Sequence, residues 1–457
     1  MLPSTLKAEL TNVVTKDRYL DHPEELACYS YDSFLEESLP DAVIFPLTTQ
    51  EVSDILKIAS RHRVPVTARG AGTSVCGAPV PINHGIVLCF SKMNRIIEVN
   101  TKDRYAIVEP GVINGDLQKA LAPFNFFYPP DPGSINISTI GGNVALNAGG
   151  PRCLKYGVTV DYVLGMQVVL ASGKIVRFGS RNIKDVTGYK LSALFCGSEG
   201  TLGMVTEVIL RVAPQPETTR TVMVTFSDLD NTAEAVADII GSGILPVAME
   251  LMDKMTINAI EDAGKLGLAR DAEGSLLIEV DGIKESCERE MSKIIAKVKE
   301  HGAVTVQEAK TPADRDKLWA ARRQAYGVFA KIAPDILSED ITVPVSKVPE
   351  MTRRIREICT RHNIKVGILA HAGDGNMHPL IPADRNNREE WARVIMAFGK
   401  IFEAAADLHG TLSGEHGIGL AKAAYLPLVM DDDSREFMTV IKRAVDPDNI
   451  LNPGKFA

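Results

Sequence analysis

Two short glycine-framed stretches hold the side chains best suited to acid–base or metal chemistry: His371-Ala-Gly-Asp-Gly-Asn-Met-His378 and Ser413-Gly-Glu-His-Gly-Ile-Gly419. Three of the chain's 9 histidines lie in them, so the residue type is concentrated rather than scattered. His371 and His378 are seven residues apart across a turn, and adjacent strands would bring their imidazoles together. Glu415 would complete a His₂Glu set with open positions, the pattern of a catalytic divalent metal. Zinc, iron or manganese would each suit such a set. His416 would stand beside it as a base. Histidines satisfied by hydrogen bonds in ordinary turns are the competing explanation. No HExxH occurs, which argues against a zincin-type peptidase. Trp319 and Arg322, at i,i+3, share one predicted helix face, and a guanidinium there suits capture of a carboxylate. A surface arginine over an aromatic ring is the plainer alternative.

A second group of stretches suits phosphate. Arg69-Gly-Ala-Gly-Thr-Ser74, with Gly77 close behind, follows a predicted strand, and its small residues let backbone N–H groups approach an anion closely. The spacing is not GxGxxG and no helical pattern follows, so a Rossmann site is not expected. Tyr128-Pro-Pro-Asp-Pro-Gly-Ser134, Ile140-Gly-Gly-Asn143 and Asn147-Ala-Gly-Gly-Pro151 are dense in glycine and proline. Glycine costs backbone entropy and proline removes donors, so such a run is shaped around something or is a long irregular connection. Lys184-Asp-Val-Thr-Gly-Tyr-Lys190 and Gly197-Ser-Glu-Gly-Thr-Leu-Gly203 again lead a glycine loop into a β run. Several such loops together suggest a cradle for one large phosphorylated cofactor.

The elements that must position these residues change rhythm along the sequence. Over Val43–Ala213, short β-rich runs alternate with glycine turns, after a helix at Glu51–His62 with apolar Val52, Ile55, Leu56 and Ala59. Ala213–Thr219 reads as a boundary. Strands at Val222–Phe226, Pro246–Leu251, Leu276–Val280 and Val304–Gln307, with helices at Leu229–Ile240 and Lys284–His301, give the β-α-β-β-α-β order of a ferredoxin-like antiparallel sheet. A short helix is expected at Asp253–Ala263. Further helices are expected after Thr311-Pro312, over about 347–362 and over about 388–409.

A length of 457 residues suits two or three domains, with cores large enough to need no disulfide or structural metal. A net charge of −8 gives no reason to expect a nucleic-acid partner. The 7 cysteines are scattered and contain no CxxC, which points to reduced thiols in a cytoplasmic protein and to no iron–sulfur cluster of its own. The N-terminus lacks the apolar core of a signal peptide, and no window suits a transmembrane helix.

In this order, from Pro46–Val52 to Asp446-Pro-Asp-Asn-Ile-Leu-Asn-Pro-Gly-Lys455, the motifs make the protein resemble the FAD-linked D-2-hydroxy acid dehydrogenases of the vanillyl-alcohol oxidase/PCMH flavoprotein superfamily. Members include D-lactate dehydrogenase, the glycolate oxidase FAD subunit and D-2-hydroxyglutarate dehydrogenase. The resemblance implies an α+β fold: a PCMH-type FAD-binding domain over residues 1–215, and a substrate or cap domain with an antiparallel ferredoxin-like sheet over 216–410. A C-terminal segment, 411–457, would return to the flavin. It further implies that FAD, held non-covalently, is contacted by Arg69, Gly70, Ala71, Gly72, Thr73, Ser74, Gly77, Pro132, Gly133, Ser134, Gly141, Gly142, Asn143, Gly149, Glu199, Gly200, Gly203, Val205 and Asn452. By the same resemblance His371, His378 and Glu415 ligate a divalent metal, His416 is the base and Arg322 holds the substrate carboxylate. The metal would polarise a 2-hydroxyl, and hydride would pass to the flavin N5. Electrons would leave to a protein or quinone, with an electron-transfer flavoprotein or an iron–sulfur subunit as partner. Where the hydroxyglutarate branch carries polar groups, this sequence has Ser338 and Pro379-Leu380. A second buried carboxylate would lack a partner there, which favours a monocarboxylate, D-lactate ahead of glycolate. Rival readings are a metal-dependent hydrolase, which leaves the glycine loops unexplained, and a non-catalytic electron-carrying flavoprotein, which leaves the His/Glu group unexplained.

Overall fold

A computed structural model describes residues 2–456 of the protein. They form two compact units: residues 2–149, 158–215 and 415–456 in the first, and 150–157 with 216–414 in the second.

The first unit is built on two main sheets. In one, Tyr19–Leu20, Ala42–Ile44, Ile86–Cys89 and Val66–Arg69 lie side by side in that order, the last three parallel. Ala42–Ile44 and Ile86–Cys89 are wholly buried, as parallel strands covered on both faces require. Thr48 caps the Thr49–His62 helix by accepting the Glu51 N–H at 3.1 Å, and Arg63 ends it in the left-handed region at φ +52°. The helix buries Val52, Ile55, Leu56 and Ala59 in one cluster with Ile44, Ile86 and Leu88. The other sheet is antiparallel, in the order Ile96–Asn100, Tyr105–Val108, Met204–Arg211, Val163–Val169, Ile175–Gly179. In Met204–Arg211 alternate side chains are buried, the period of a strand with one face on a core. The C-terminal tail joins the first sheet: Leu451 bridges Val66, and the Asn452 N–H donates to the Val66 carbonyl at 2.8 Å.

The second unit has the ferredoxin-like order. Ala303–Glu308, Thr218–Phe226, Gly274–Gly282 and Ala248–Asp253 pair antiparallel in that sequence, and the sheet continues through Gly367–His371, Asn376–Ala383 and Asp335–Ser338. Asp228 and Asp253 cap the helices Leu229–Gly241 and Lys254–Gly264, and Thr311 with Asp314 forms a capping box at the start of Pro312–Phe329. Helices Lys254–Gly264 and Pro312–Phe329 cover one sheet face, where Trp319, Ala325 and Phe329 pack with Met252, Leu277, Leu369 and Leu380. Leu380 is fully buried there. The observed helices match the expected ones to within a few residues, and Lys254–Gly264 interrupts the simple β-α-β-β-α-β order as expected. Among the described residues no helix is long and apolar enough to cross a membrane.

Candidate active site

Strand register assembles the titratable cluster of the second unit. His371 lies directly opposite Glu250, and His378 lies opposite Leu369, so Glu250, His371 and His378 point to the same face. The turn joining the two histidine strands needs Gly375: its φ is +84°, and a Cβ there would overlap the Val343 carbonyl. The two imidazole rings stand edge to face with centroids 5.2 Å apart.

A buried carboxylate orients one ring and a backbone carbonyl the other. Glu250 is fully buried; its Oε1 lies 2.7 Å from His371 Nδ1, and its Oε2 accepts from Arg322 Nε at 2.5 Å. Burial alone would push this carboxyl up, but Arg322 and His371 outweigh it and hold it below the ordinary glutamate value. Glu250 therefore stays an anion and the His371 Nδ1 carries the proton. His378 Nδ1 donates to the Glu339 carbonyl at 3.1 Å and stands 3.7 Å from Asp340 Oδ1. The fully buried Asp340 accepts from Asn376 Nδ2 at 2.8 Å and from Ser413 Oγ at 2.5 Å. Its carbonyl accepts the Gly414 N–H at 2.9 Å. Glu415 and His416 are the next two residues, and each peptide step carries the backbone only about 3.8 Å.

Arg322 is aimed at this cluster by its helix. Thr221 Oγ1 donates to the buried Glu279 at 2.7 Å, as does the Trp319 indole at 2.7 Å, and Arg315 donates to it at 2.8 and 2.7 Å. Residues 315, 319 and 322 share one helix face, so docking the first two on Glu279 brings the third to Glu250. Trp319 and Arg322 thus serve two different carboxylates, and neither stacks on the other. Glu250, Glu279 and Asp340 were not singled out from the sequence. An isolated acid inside an apolar strand, as in Ala-Met-Glu-Leu-Met, was the available signal.

The first unit gathers the glycine loops. Arg69 is buried at the end of its strand, donates to the Tyr31 carbonyl at 2.7 Å and lies 5.7 Å from the Tyr29 ring centre. A Cβ on Gly72 would overlap its guanidinium, and one on Gly70 would overlap the Thr139 hydroxyl. Thr139 caps the Ile140–Leu146 helix by accepting the Gly142 N–H at 3.2 Å. The Gly77 N–H donates to Asp32 at 2.9 Å, and Gly141 packs where a Cβ would meet Pro110. Pro132 and Ser134 accept from Ile135 and Ser138 in the turn containing Gly133. Gly200 lies near Ala68, Gly203 near Val168 and Phe195, and Val205 in the following strand. Asn452 Nδ2 donates to the Glu199 and Ala78 carbonyls at 2.7 and 3.0 Å. The buried Asn143 Nδ2 and Asn452 Oδ1 have no hydrogen-bond partner among the described residues. Buried polar atoms are rarely left so, and two of them beside glycine-rich loops fit a bound FAD that supplies the missing partners. Residues 182–190 behave differently: they are exposed, Val186 and Tyr189 almost completely, and line a surface pocket with Arg177 and Phe178.

Residues 40–179 match the model of an FAD binding domain, and residues 215–456 match that of the FAD linked oxidases, C-terminal domain. The chain belongs to the FAD-linked oxidase family. Glycolate oxidase subunit GlcD of Bacillus subtilis is 46% identical over 456 residues, 100% of this chain and 97% of that protein. D-lactate dehydrogenase of Archaeoglobus fulgidus is 36% identical over 417 residues, 90% of each. The solved structure of p-cresol methylhydroxylase superposes with a TM-score of 0.82 at 18% identity, covering 99% of this chain and 96% of that one, which establishes the PCMH-type fold. This member of the FAD-linked oxidases is therefore an FAD-linked oxidoreductase of the GlcD and D-lactate dehydrogenase type. The hydrolase reading loses its ground, because the glycine-rich half matches an FAD binding domain.

Proposed function

We propose that the protein is the FAD-bearing catalytic component of a dehydrogenase for small 2-hydroxy acids, with glycolate ahead of D-lactate. This order reverses the preference drawn from the sequence. It is supported by the 46% identity to a glycolate oxidase subunit, against 36% to a D-lactate dehydrogenase. The apolar burial of Leu380 is in keeping with a substrate of one carboxylate.

The observation that carries the proposal is the pair of imidazoles, His371 and His378, whose rings stand 5.2 Å apart with Nδ1 turned to Glu250 in one and to the Glu339 carbonyl in the other. With Glu415 they would hold a divalent metal, zinc, iron or manganese. When bound, FAD accepts a hydride at N5 and the metal polarises a hydroxyl. The protein's own part is positioning and proton transfer. Arg322 uses Nε on Glu250 and has Nη2 3.5 Å from His371 Nδ1, so Nη1 is the group suited to a substrate carboxylate. His416 accepts the 2-hydroxyl proton. The product is a 2-oxo acid. All 7 cysteines are free thiols, in keeping with a cytoplasmic setting. No cysteine group suits a cluster, so a separate acceptor, an electron-transfer flavoprotein or an iron–sulfur subunit, takes the electrons. The term "subunit" in the GlcD name supports such a partner.

His416→Ala is expected to keep flavin and metal but lose anaerobic flavin reduction by glycolate. Full-rate reduction by that variant would refute the base assignment. His378→Ala is expected to lose metal by elemental analysis, and retained stoichiometric metal would contradict its role.

A further inference from the structure

We propose that Glu199 is a positioning residue for the Glu415–His416 pair; this rests on the reading of His416 as the base. Sequence resemblance placed Glu199 among the FAD contacts, but its carboxylate is turned to the backbone that follows His416. Oε1 accepts the Ile418 N–H at 2.7 Å and Oε2 accepts the Gly419 N–H at 2.9 Å. The next two amides, Leu420 and Ala421, donate to the Cys76 carbonyl at 2.8 and 3.2 Å. Four consecutive N–H groups, those of residues 418–421, are thus tied down, beginning two residues after the base.

The loop is glycine-framed for this reason. Gly417 and Gly419 have φ of +91° and +47°. A Cβ on the first would press on Glu199 Oε1, and one on the second would overlap the Cys76 carbonyl. Any other residue would push the backbone off its clamp.

Glu199 is itself held from two sides. Its N–H donates to the Ala145 carbonyl at 2.8 Å, on the Ile140–Leu146 helix, and its carbonyl accepts from Asn452 at 2.7 Å. Its own φ is +52°, between Gly197 and Gly200, both also positive. One residue therefore joins the cofactor-side helix, the C-terminal tail and the loop bearing the base. Burying a carboxylate this deeply costs stability, and the position needs two acceptor oxygens to justify it. Glutamine has the same size but one acceptor, and its amide would set N–H against N–H.

The test is Glu199→Gln, purified with its FAD. We expect flavin content and glycolate KM close to wild type, with the flavin-reduction rate at saturating glycolate down on the order of 10- to 100-fold, the effect of a misplaced catalytic group. If Glu199 only supports structure or cofactor, flavin content falls while the rate per bound flavin is unchanged, which overturns the proposal. Hydrogen exchange on the FAD-loaded wild-type protein gives an answer even if the variant fails to fold. Strong protection of the Ile418 and Gly419 amides is expected, and exchange at open-loop rates would overturn the clamp. A wild-type flavin that no 2-hydroxy acid reduces would instead overturn the underlying functional reading.

Discussion

Replacing Glu250 by glutamine separates the orientation of His371 from the packing around it. The side chain keeps its size, so no cavity forms. It keeps one acceptor oxygen, yet both Glu250 oxygens are in use, on His371 Nδ1 at 2.7 Å and on Arg322 Nε at 2.5 Å. The new NH₂ must face one of these donors. Leaving a buried donor unpaired costs about 1–3 kcal/mol, and breaking a buried ion pair about 3–5 kcal/mol. A shift of the denaturation midpoint in that range is expected. The sharper consequence concerns the metal. A ring no longer held through Nδ1 should bind a divalent ion about 10- to 100-fold more weakly. That is about 1.4–2.7 kcal/mol at 25 °C. Competition against a chromophoric chelator, with zinc and then manganese, measures it directly. Destabilisation with metal affinity unchanged would refute the reasoning, because it would show that Glu250 supports the fold and Arg322 without tuning a metal ligand.

Two further substitutions follow from buried groups. Asp253 caps the Lys254–Gly264 helix, and burial pushes its carboxyl up to about 6 despite the Thr256 N–H and the nearby Arg356. The folded state then binds more protons than the unfolded one between the ordinary value of 3.8 and about 6, so stability falls as pH rises through that window. Asparagine caps equally well without the charge, so Asp253→Asn should remove this slope and stabilise the protein at pH 7 by up to about 3 kcal/mol, read from urea melts at both ends of the window. Gly72→Ala places a Cβ against the Arg69 guanidinium at φ +74°, at about 1–2 kcal/mol for the backbone alone, and should lower retained flavin after dialysis; full flavin content would show that the loop does not line the cofactor.

The elements were legible because local signals agreed with the fold. Thr48 and Thr311 sit where caps were required, and the strand and helix rhythm after Thr219 gave the ferredoxin-like order. The histidines were legible too, since a glycine-framed turn between two short strands leaves little choice about which residues meet. Their partners were not. Glu250 reaches His371 across 121 residues and Asp340 reaches Ser413 across 73, through strand register that no local pattern specifies. Glu199 entered only through the family resemblance, as an FAD contact, and sequence cannot show that its carboxylate faces backbone amides 219 and 220 residues away. Residues 184–190 read as cradle for the same reason that other glycine loops did; they are exposed, and composition alone does not say whether such a turn meets a ligand.

Anaerobic mixing of the FAD-loaded, metal-loaded protein with glycolate, D-lactate, L-lactate and D-2-hydroxyglutarate, followed by flavin absorbance, tests the central claim most directly. Rapid and complete bleaching by glycolate and D-lactate, with little or none by the other two, is the expected result. A flavin that stays oxidised with every one of these acids would contradict the account.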